Sequence, residues 1–555
     1  MKIVIIGAVA AGTSAAAKAR RNSEEAEIII FEKDTDISYS GCGLPYYIGG
    51  DVEDREKLTP RDPEFFREKY NVDVRTAHEV KRIDTEGKFL EVKDLVSGKE
   101  FTETYDKLVI ATGARSFVPK MEGVEKKNVF TLRNVKNADA IRGYLRENSP
   151  KKVLIVGTGF IGLELCEVLV QNGIEVTMVE KLEQVTPGLD RDMSKYLEKY
   201  LKKKGVRLIL GTSVTGFKGD DRVQKAVLES GEEVETDMVI MSIGVRPNVE
   251  LARDAGVKLG VTGAIMTDTG MRTSIEDVYA CGDCAESFSL ITGKPIYRPL
   301  GSTANKTGRI CGSSMFNDSL EFRGVLGTGI FRVFDMVVGQ TGLTEREALI
   351  EGYDIEVIHN IKPNRPEYYG GKEMVIKGIA DRNTEKLLGV QIVGYEGVDK
   401  RIDVFVTAIS FGAKVSDLFH LDLAYAPPFS TTKDPVMYTG MILDNAINTS
   451  RKIVKPAELL EGIVDKEDVV IIDTRVPKQY AAGHVDGAVN IPHNEIRKEL
   501  KNLDKEKTII TYCNKGVTGN AVQNILLNSG FEKVYNISGG NSNYQTQKTE
   551  EKKDK

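Results

Sequence analysis

Two cysteines are the residues of this 555-residue chain best placed to do chemistry. Cys42 stands in Ile37-Ser38-Tyr39-Ser40-Gly41-Cys42-Gly43-Leu44-Pro45-Tyr46-Tyr47, just after one nucleotide-binding pattern and far ahead of another. A lone thiol there suggests a nucleophile that works beside a cofactor and forms its disulfide with something outside the protein. Next to a helix N-terminus or a cofactor its pKa would be depressed; the opposing reading is a buried structural cysteine. Cys513 follows the apolar run 508–512 and enters a loop ahead of a helix expected to begin near Asn520. The amides of such a loop can form a concave nest that stabilises a thiolate or a persulfide. A cysteine phosphatase uses the same arrangement but needs an arginine fork in the loop, and neither Thr518 nor Gly519 supplies one.

The elements that must hold Cys42 are two strand-turn-helix units. In the first, residues 3–6 read as a strand, Gly7-Ala8-Val9-Ala10-Ala11-Gly12 as a turn, 13–21 as a helix and 28–31 as a strand ending at Glu32. This is the order a dinucleotide site requires: a tight turn, a helix N-terminus whose free amides meet pyrophosphate, and an acid for ribose hydroxyls. Val9 occupies the place of the middle glycine. The second unit is complete, with strand 153–156, turn Gly157-Thr158-Gly159-Phe160-Ile161-Gly162, a helix through 169 and strand 176–179 closed by Glu180. A carboxylate accepts from a 2′-hydroxyl and repels a 2′-phosphate, so Glu180 favours NADH, while Lys181 acts against that choice. Two more strand-and-turn segments, 105–114 containing Thr112-Gly113 and 278–283 ending in Gly282-Asp283, flank the second unit.

Composition sets the frame. At ~150 residues per domain, the length predicts roughly three to four domains. The 41% hydrophobic and 28% charged residues are those of an ordinary globular chain, and the net charge of -6 argues against nucleic-acid binding. Residues 2–6 lead straight into Gly7 without a cleavage pattern, and no run approaches the ~18 apolar residues of a membrane span, so a cytoplasmic protein without a membrane partner is expected. Six cysteines in such a length make no disulfide framework. Cys166 and Cys311 fall in helical patterns and read as core. Cys281 and Cys284 form a Cys-x-x-Cys, but without a second ligand pair no metal site is expected, and the pair reads as structural.

The segments at 105–114 and 278–283 resemble the ATG and GD segments of the two-dinucleotide flavoproteins. In these, the residue matching Asp283 holds the FAD ribityl chain and that matching Glu32 the adenosine ribose. Flavoprotein reductases with an internal redox pair carry a second cysteine where Tyr47 stands, and a His-Glu pair near a Pro-Thr-x-x-Glu signature; none of His78, His359, His420, His484 or His493 fits. Over residues 1–450 the chain is instead similar to coenzyme A-disulfide reductases and their relatives with one active cysteine. Besides residues 38–46, the likeness rests on Gly394-Tyr395-Glu396-Gly397-Val398-Asp399-Lys400-Arg401-Ile402-Asp403 and Leu423-Ala424-Tyr425-Ala426-Pro427-Pro428-Phe429-Ser430.

The resemblance implies FAD held through Gly7, Ala10, Gly12, Glu32, Lys33, Ser40, Thr112, Gly113 and Asp283, and NADH through Gly157, Gly159, Gly162, Glu180 and Gly244. It implies a homodimer whose C-terminal portion sends Tyr425 and Tyr368 into the partner's site, although Tyr368-Tyr369-Gly370-Gly371 departs from the family's Tyr-Tyr-Pro. It also implies a coenzyme A site formed by Ser38, Arg20, Arg21, Arg61 and Arg67; for the arginines a solvated helix face is the competing reading. Residues 455–543, with Gly483-His484-Val485-Asp486-Gly487-Ala488-Val489-Asn490-Ile491-Pro492 and the Cys513 loop, resemble a rhodanese; the arginine that rhodaneses commonly carry at the Thr518 position is missing.

The expectation is therefore an α/β chain. It would have two Rossmann-like dinucleotide-binding domains for FAD (1–117 and 247–322) and NADH (118–246), an α+β dimerisation domain (323–450), an α/β rhodanese domain (455–543) and a disordered tail (544–555). Stretch 448–458 is short for a tether, so docking of the last domain should matter. The activity expected is NADH-dependent reduction of coenzyme A disulfide, coenzyme A persulfide or a polysulfide through Cys42, with sulfur transfer through Cys513. The alternatives are an NADH oxidase or peroxidase cycling through a Cys42 sulfenate, and a redox-sensing or sulfur-carrier protein whose flavin is structural.

Overall fold

The structure, a computed structural model, describes residues 1–316, 320–461 and 468–548. It divides into two compact units, Met1–Glu183 with Lys204–Val325, and Gln184–Lys203 with Leu326–Lys555.

The first unit is built on two parallel sheets. Strand Lys2–Ile6 carries four β-branched residues after Lys2, with Ile3, Val4 and Ile5 fully buried, the pattern of a strand covered on both faces. It lies at the centre of the order Val278–Ala280, Lys107–Ile110, Lys2–Ile6, Glu27–Phe31, Asp73–Arg75. Lys152–Val156 is equally central in the second sheet, ordered Arg207–Leu210, Glu175–Glu180, Lys152–Val156, Met238–Met241, Val129–Thr131. The second sheet is thus inserted in sequence between two adjacent strands of the first. A short antiparallel pair, Ala114–Ser116 with Val245–Pro247, marks where the chain leaves and returns. Helix Gly301–Ser314 then packs on Ala11–Asn22 almost backbone to backbone: a Cβ on Gly308 would lie 2.3 Å from the Ala11 carbonyl oxygen. Only glycine permits that approach.

The second unit contains an antiparallel sheet in the order Gly329–Val333, Met336–Gly342, Leu387–Gly394, Glu373–Asp381, Ile355–Pro363, crossed by helix Pro435–Asn448. Only three residues, 449–451, separate that helix from strand Lys452–Val454, which already belongs to the last sheet, ordered Lys452–Val454, Val534–Ile537, Thr508–Tyr512, Val469–Asp473, Val489–Asn490 and parallel throughout. The expected tether is therefore taken up by strand Lys452–Val454 and the start of helix Pro456–Leu460. The expected tail also changes: helix Gly540–Gln547 is ordered and Gln547 is buried, while 549–555 lie outside the described residues.

Helix Arg191–Lys203 joins the two halves of this unit. Tyr196 donates to Asn543 at 2.9 Å, Lys195 to the Gln547 carbonyl at 2.6 Å and Lys199 to the Gln545 carbonyl at 2.7 Å. At its start Lys377, 0% exposed, meets Asp190 at 3.1 Å, Asp192 at 2.9 Å and Glu345 at 2.6 Å. Glu345 also takes Lys455 at 2.6 Å, and His359 bridges Asp192 at 2.8 Å to the Ser538 hydroxyl at 3.0 Å.

Burial works against ionisation of Asp192, but Lys377 and His359 outweigh it and hold this carboxyl well below its usual range; Lys377 likewise holds Glu345 down. Stabilisation from these lowered values is present above the unfolded carboxylate range, near pH 4, and is lost as pH falls through the folded values. Lys377→Met, which strands three carboxylates, is expected to cost ~3–5 kcal/mol of stability. The deficit, read from denaturant midpoints, should shrink on acidification below about pH 4; a deficit independent of pH would show that the charges are not its source.

Candidate active site

The two nucleotide turns are built alike. Gly7 has φ +107° and Gly157 φ +101°, and an added Cβ would lie 2.3 Å from the Ala111 carbonyl oxygen in one and 2.6 Å from that of Ser242 in the other. At the end of the following strand a buried glutamate points back into each turn. Glu32 accepts from the Ala8 amide at 2.8 Å and the Asp34 amide at 2.9 Å. Glu180 accepts from the Thr158 amide at 3.0 Å, the Thr158 hydroxyl at 2.8 Å and the Leu182 amide at 3.1 Å. Burial raises the Glu32 pKa, with the two amides opposing it.

These cradles fit dinucleotides. Gly159, at the N-cap of helix Phe160–Gln171, has open space where a side chain would be, and Gly12, in the first turn of helix Ala11–Asn22, packs so closely on the Gly7 carbonyl that an added Cβ would lie 1.9 Å from its oxygen. Val9 and Ala10 line the first turn half-buried, and Gly244, φ +102°, is open on the second side. Asp283 is brought to the first turn because Gly282 packs on Ala11; its carboxylate meets Arg133 at 2.7 Å. The Thr112 hydroxyl donates to the Asn248 carbonyl at 2.7 Å, Gly113 has φ +66°, and Lys33 is exposed beside Glu32.

Cys42 lies in the short 3-10 turn Gly41–Gly43 that opens helix Leu44–Gly49. The Ser38 amide, donating to the Ala8 carbonyl at 2.9 Å, ties this segment to the first turn, and the Ser40 amide donates to the Leu58 carbonyl at 2.8 Å. Helix Leu44–Gly49 packs on Phe160–Gln171, with Gly49 against Val168. Tyr46 reaches Glu164 of that helix at 3.4 Å, and Tyr47 donates to Asp139 at 2.9 Å. The thiol of the first unit's turn therefore faces the helix of the second turn. Cys42 is the one exposed cysteine of the six. Its pKa is raised, not depressed as the sequence suggests: partial desolvation acts first, Glu164 and Asp283 add to it, and Arg133 opposes them. Glu164 is itself pushed up to about 7 by burial. Sequence reading missed Glu164 and Arg133. For Glu164 a signal existed, a lone carboxylate in the apolar stretch 160–166.

The arginines separate. Arg20 is 4% exposed, and its guanidinium donates to the carbonyls of Tyr70, Ser23, Glu24, Ala26 and Asn71 at 2.7–2.9 Å. All five of its N–H groups are used, so it fastens the end of its helix and has no donor left for a coenzyme A phosphate. Arg21 lies over Tyr70 and Arg61 over Phe65, and both they and Arg67 keep exposed head groups. In the second unit Tyr368 is 76% and Tyr425 49% exposed. Cys166, Cys281, Cys284 and Cys311 are fully buried, and among the described residues no metal-binding cluster occurs.

Cys513 is 7% exposed at the end of strand Thr508–Tyr512, and helix Val517–Asn528 begins three residues earlier than expected, after Gly516 in the left-handed region. The loop is clamped from two sides. The Asn541 amide donates to the Cys513 carbonyl at 2.8 Å, while Arg475, paired with buried Asp473 at 2.6 Å, donates to Asn514 at 3.0 Å. A cleft of about 310 Å³ lined by Arg475, Gln479, Ala482, Gly483, Asn541 and Gln545 opens beside it.

Paired dinucleotide cradles with a thiol set between them define a pyridine-nucleotide-dependent oxidoreductase. The chain belongs to the pyridine nucleotide-disulphide oxidoreductases: their family model matches residues 1–298, that of their dimerisation domain residues 330–435, and that of the rhodanese-like domain residues 455–547. The NAD(P)H sulfur oxidoreductase (CoA-dependent) of Pyrococcus abyssi is 41% identical over 443 residues, 80% of this chain and 98% of the relative. Two solved structures are similar over 98% of this chain, each at 37% identity. Reduced Bacillus anthracis CoADR-RHD superposes with a TM-score of 0.95 and 98% of its own length, and the NAD-dependent persulfide reductase of A. fulgidus with 0.91 and 100%. No helix of the described residues is long and apolar enough to cross a membrane.

Above neutrality Glu164 is ionised and disfavours the Cys42 thiolate. Glu164→Gln removes that charge, so Cys42 should be alkylated by iodoacetamide about threefold faster at pH 8, the profile moving to lower pH. An unmoved profile would show that Glu164 does not act on the thiol.

Proposed function

We propose that this chain is an FAD-dependent NADH:disulfide oxidoreductase that reduces coenzyme A disulfide and coenzyme A persulfide or polysulfide through Cys42, fused to a sulfurtransferase acting through Cys513. The observation that carries the reading is the placement of Cys42, the one exposed thiol, opposite Glu164 and between the two nucleotide turns. The CoA-dependent sulfur oxidoreductase, CoADR-RHD and persulfide reductase described above support the choice of substrate.

Glu32, Asp283 and the amides following Gly7 would hold FAD, and Glu180 with the amides following Gly157 would hold NADH. Bound FAD supplies a two-electron relay between the nicotinamide and the mixed disulfide on Cys42. The Cys42 thiolate attacks one sulfur of coenzyme A disulfide, forms a new S–S bond and expels one coenzyme A thiolate. Attack on the inner sulfur of coenzyme A persulfide forms the same mixed disulfide and expels hydrosulfide. With its pKa near 7, Glu164 can hold a proton beside the Cys42 sulfur and exchange it as the thiol forms and is consumed. Ser38, Arg21, Arg61 and Arg67 remain the candidate coenzyme A contacts. A homodimer through the antiparallel-sheet domain, presenting Tyr425 and Tyr368 to the partner, agrees with their exposure. A cytoplasmic, reducing setting agrees with six unpaired cysteines.

Cys42→Ser should abolish NADH-dependent reduction of coenzyme A disulfide and persulfide and spare sulfur transfer by the C-terminal domain. Cys513→Ser should spare reduction of preformed persulfide and lose only turnover that starts from a sulfur donor. Full persulfide reduction by Cys42→Ser would return the oxidase and sensor readings. Because Glu180 would accept from the ribose 2′-hydroxyl and repel a 2′-phosphate, kcat/KM for NADH should exceed that for NADPH; a preference of about tenfold or more for NADPH, ~1.4 kcal/mol, would refute its role.

A further inference from the structure

The C-terminal domain has a nucleophile but no loop arginine to receive an anion, because Thr518 occupies that position. Cations instead approach Cys513 from the antiparallel-sheet domain. Two contacts, one from strand Ile355–Pro363 and one from its neighbour Glu373–Asp381, fasten this sheet to the Cys513 loop and its support. The His359 amide donates to the Ser538 hydroxyl at 2.7 Å, immediately before the segment whose Asn541 amide holds the Cys513 carbonyl. At the other end, Lys515 of the sulfur loop pairs with Glu373, the residue directly opposite Pro363 in the sheet register. Lys362 lies between these contacts. Its ammonium stands 3.9 Å from the centre of the Tyr438 ring, with Lys433 6.0 Å from the same ring.

The titratable side chains that act on Lys362 are Lys515, Lys433 and Cys513, with no carboxylate among them. Burial lowers its pKa and Lys515 and Lys433 add to the effect, while the charge of Cys513 opposes it. A half-buried ammonium without an anion, in the company of two further lysines, is an electrostatic vacancy for an anion, and it adjoins the Cys513 loop.

We infer that Lys362, assisted by Lys515 and Lys433, forms the anion-binding part of the Cys513 site and selects an anionic sulfane-sulfur donor of the thiosulfate class. The inference rests on the reading of this domain as a sulfurtransferase. With thiosulfate, the Cys513 thiolate attacks the sulfane sulfur and the new S–S bond forms. The bond to the sulfonate sulfur breaks, and its electron pair leaves on sulfite. Charge is conserved at -3 on each side, since thiolate and a dianion become a persulfide anion and a dianion. Lys362 holds the sulfonate oxygens and the departing sulfite.

The test compares Lys362→Met and Lys362→Arg in the full-length holoenzyme, with thiosulfate and with an uncharged organic trisulfide as donors and a thiol as acceptor. Lys362→Met should lower kcat/KM for thiosulfate about tenfold or more, mainly through KM, and change trisulfide by less than about twofold. Lys362→Arg should recover most of the loss, and NADH-dependent reduction of coenzyme A disulfide should be unchanged in both. Equal losses with both donors, or no loss with thiosulfate while Cys513→Ser abolishes transfer, would overturn the assignment. Retention of transfer by Cys513→Ser would overturn the sulfurtransferase reading, and this proposal with it.

Discussion

Lys377 is a fully buried ammonium, and three carboxylates from different parts of the chain must converge on it. Asp190 immediately precedes helix Arg191–Lys203, Asp192 lies in its first turn, and Glu345 starts a short helix after the second strand of the antiparallel sheet. A buried charge tolerates little misplacement, because removing one partner leaves the others uncompensated in a medium of low dielectric. The cluster extends through Lys455 and His359 to Ser538, so the domain carrying Cys513 is held by the same network that orders the sheet. A three-residue connection alone would not fix its orientation. The ionic network, with the contacts of helix Arg191–Lys203 to 543–547, does.

The two nucleotide turns show how one backbone device tolerates different side chains. Both depend on a left-handed glycine at the strand end and on a glutamate returning to the turn amides. They differ at the middle position, where Gly159 leaves open space and Val9 carries a half-buried side chain. The glutamates already accept two or three hydrogen bonds from protein donors, so the acids are pre-oriented and lose little conformational freedom when a ribose arrives.

The Cys42 and Cys513 thiols lie in different surroundings. Cys42 is exposed on a short turn, and its pKa is raised first by partial desolvation and then by Glu164 and Asp283, with Arg133 opposing. Cys513 is buried at the end of a strand, and its loop is clamped by Arg475 and the 541–542 amides. An exposed thiol admits a bulky disulfide, whereas a clamped one holds a small sulfur species with its polar atoms in place.

Much of this was legible in the sequence because its carriers are local. Strand-turn-helix order, left-handed glycines and a terminal acid lie within about thirty residues of one another, so periodicity and turn chemistry identify both cradles and the Cys513 loop without knowledge of the fold. Features that depend on distant segments were not legible. Arg20 reads as a surface cation at a helix end, yet the backbone of 70–71 closes over it and takes its donors. The pKa of Cys42 moves opposite to expectation because burial acts first on it and Glu164, 122 positions away, adds to the shift. Residues 448–458 read as a tether, but residues 452–454 form a strand because Val534–Ile537 offers an edge to pair with. Sequence determined which residues are able to do chemistry. Tertiary structure decided which charges face them, because desolvation and Coulomb interactions act through space and not along the chain.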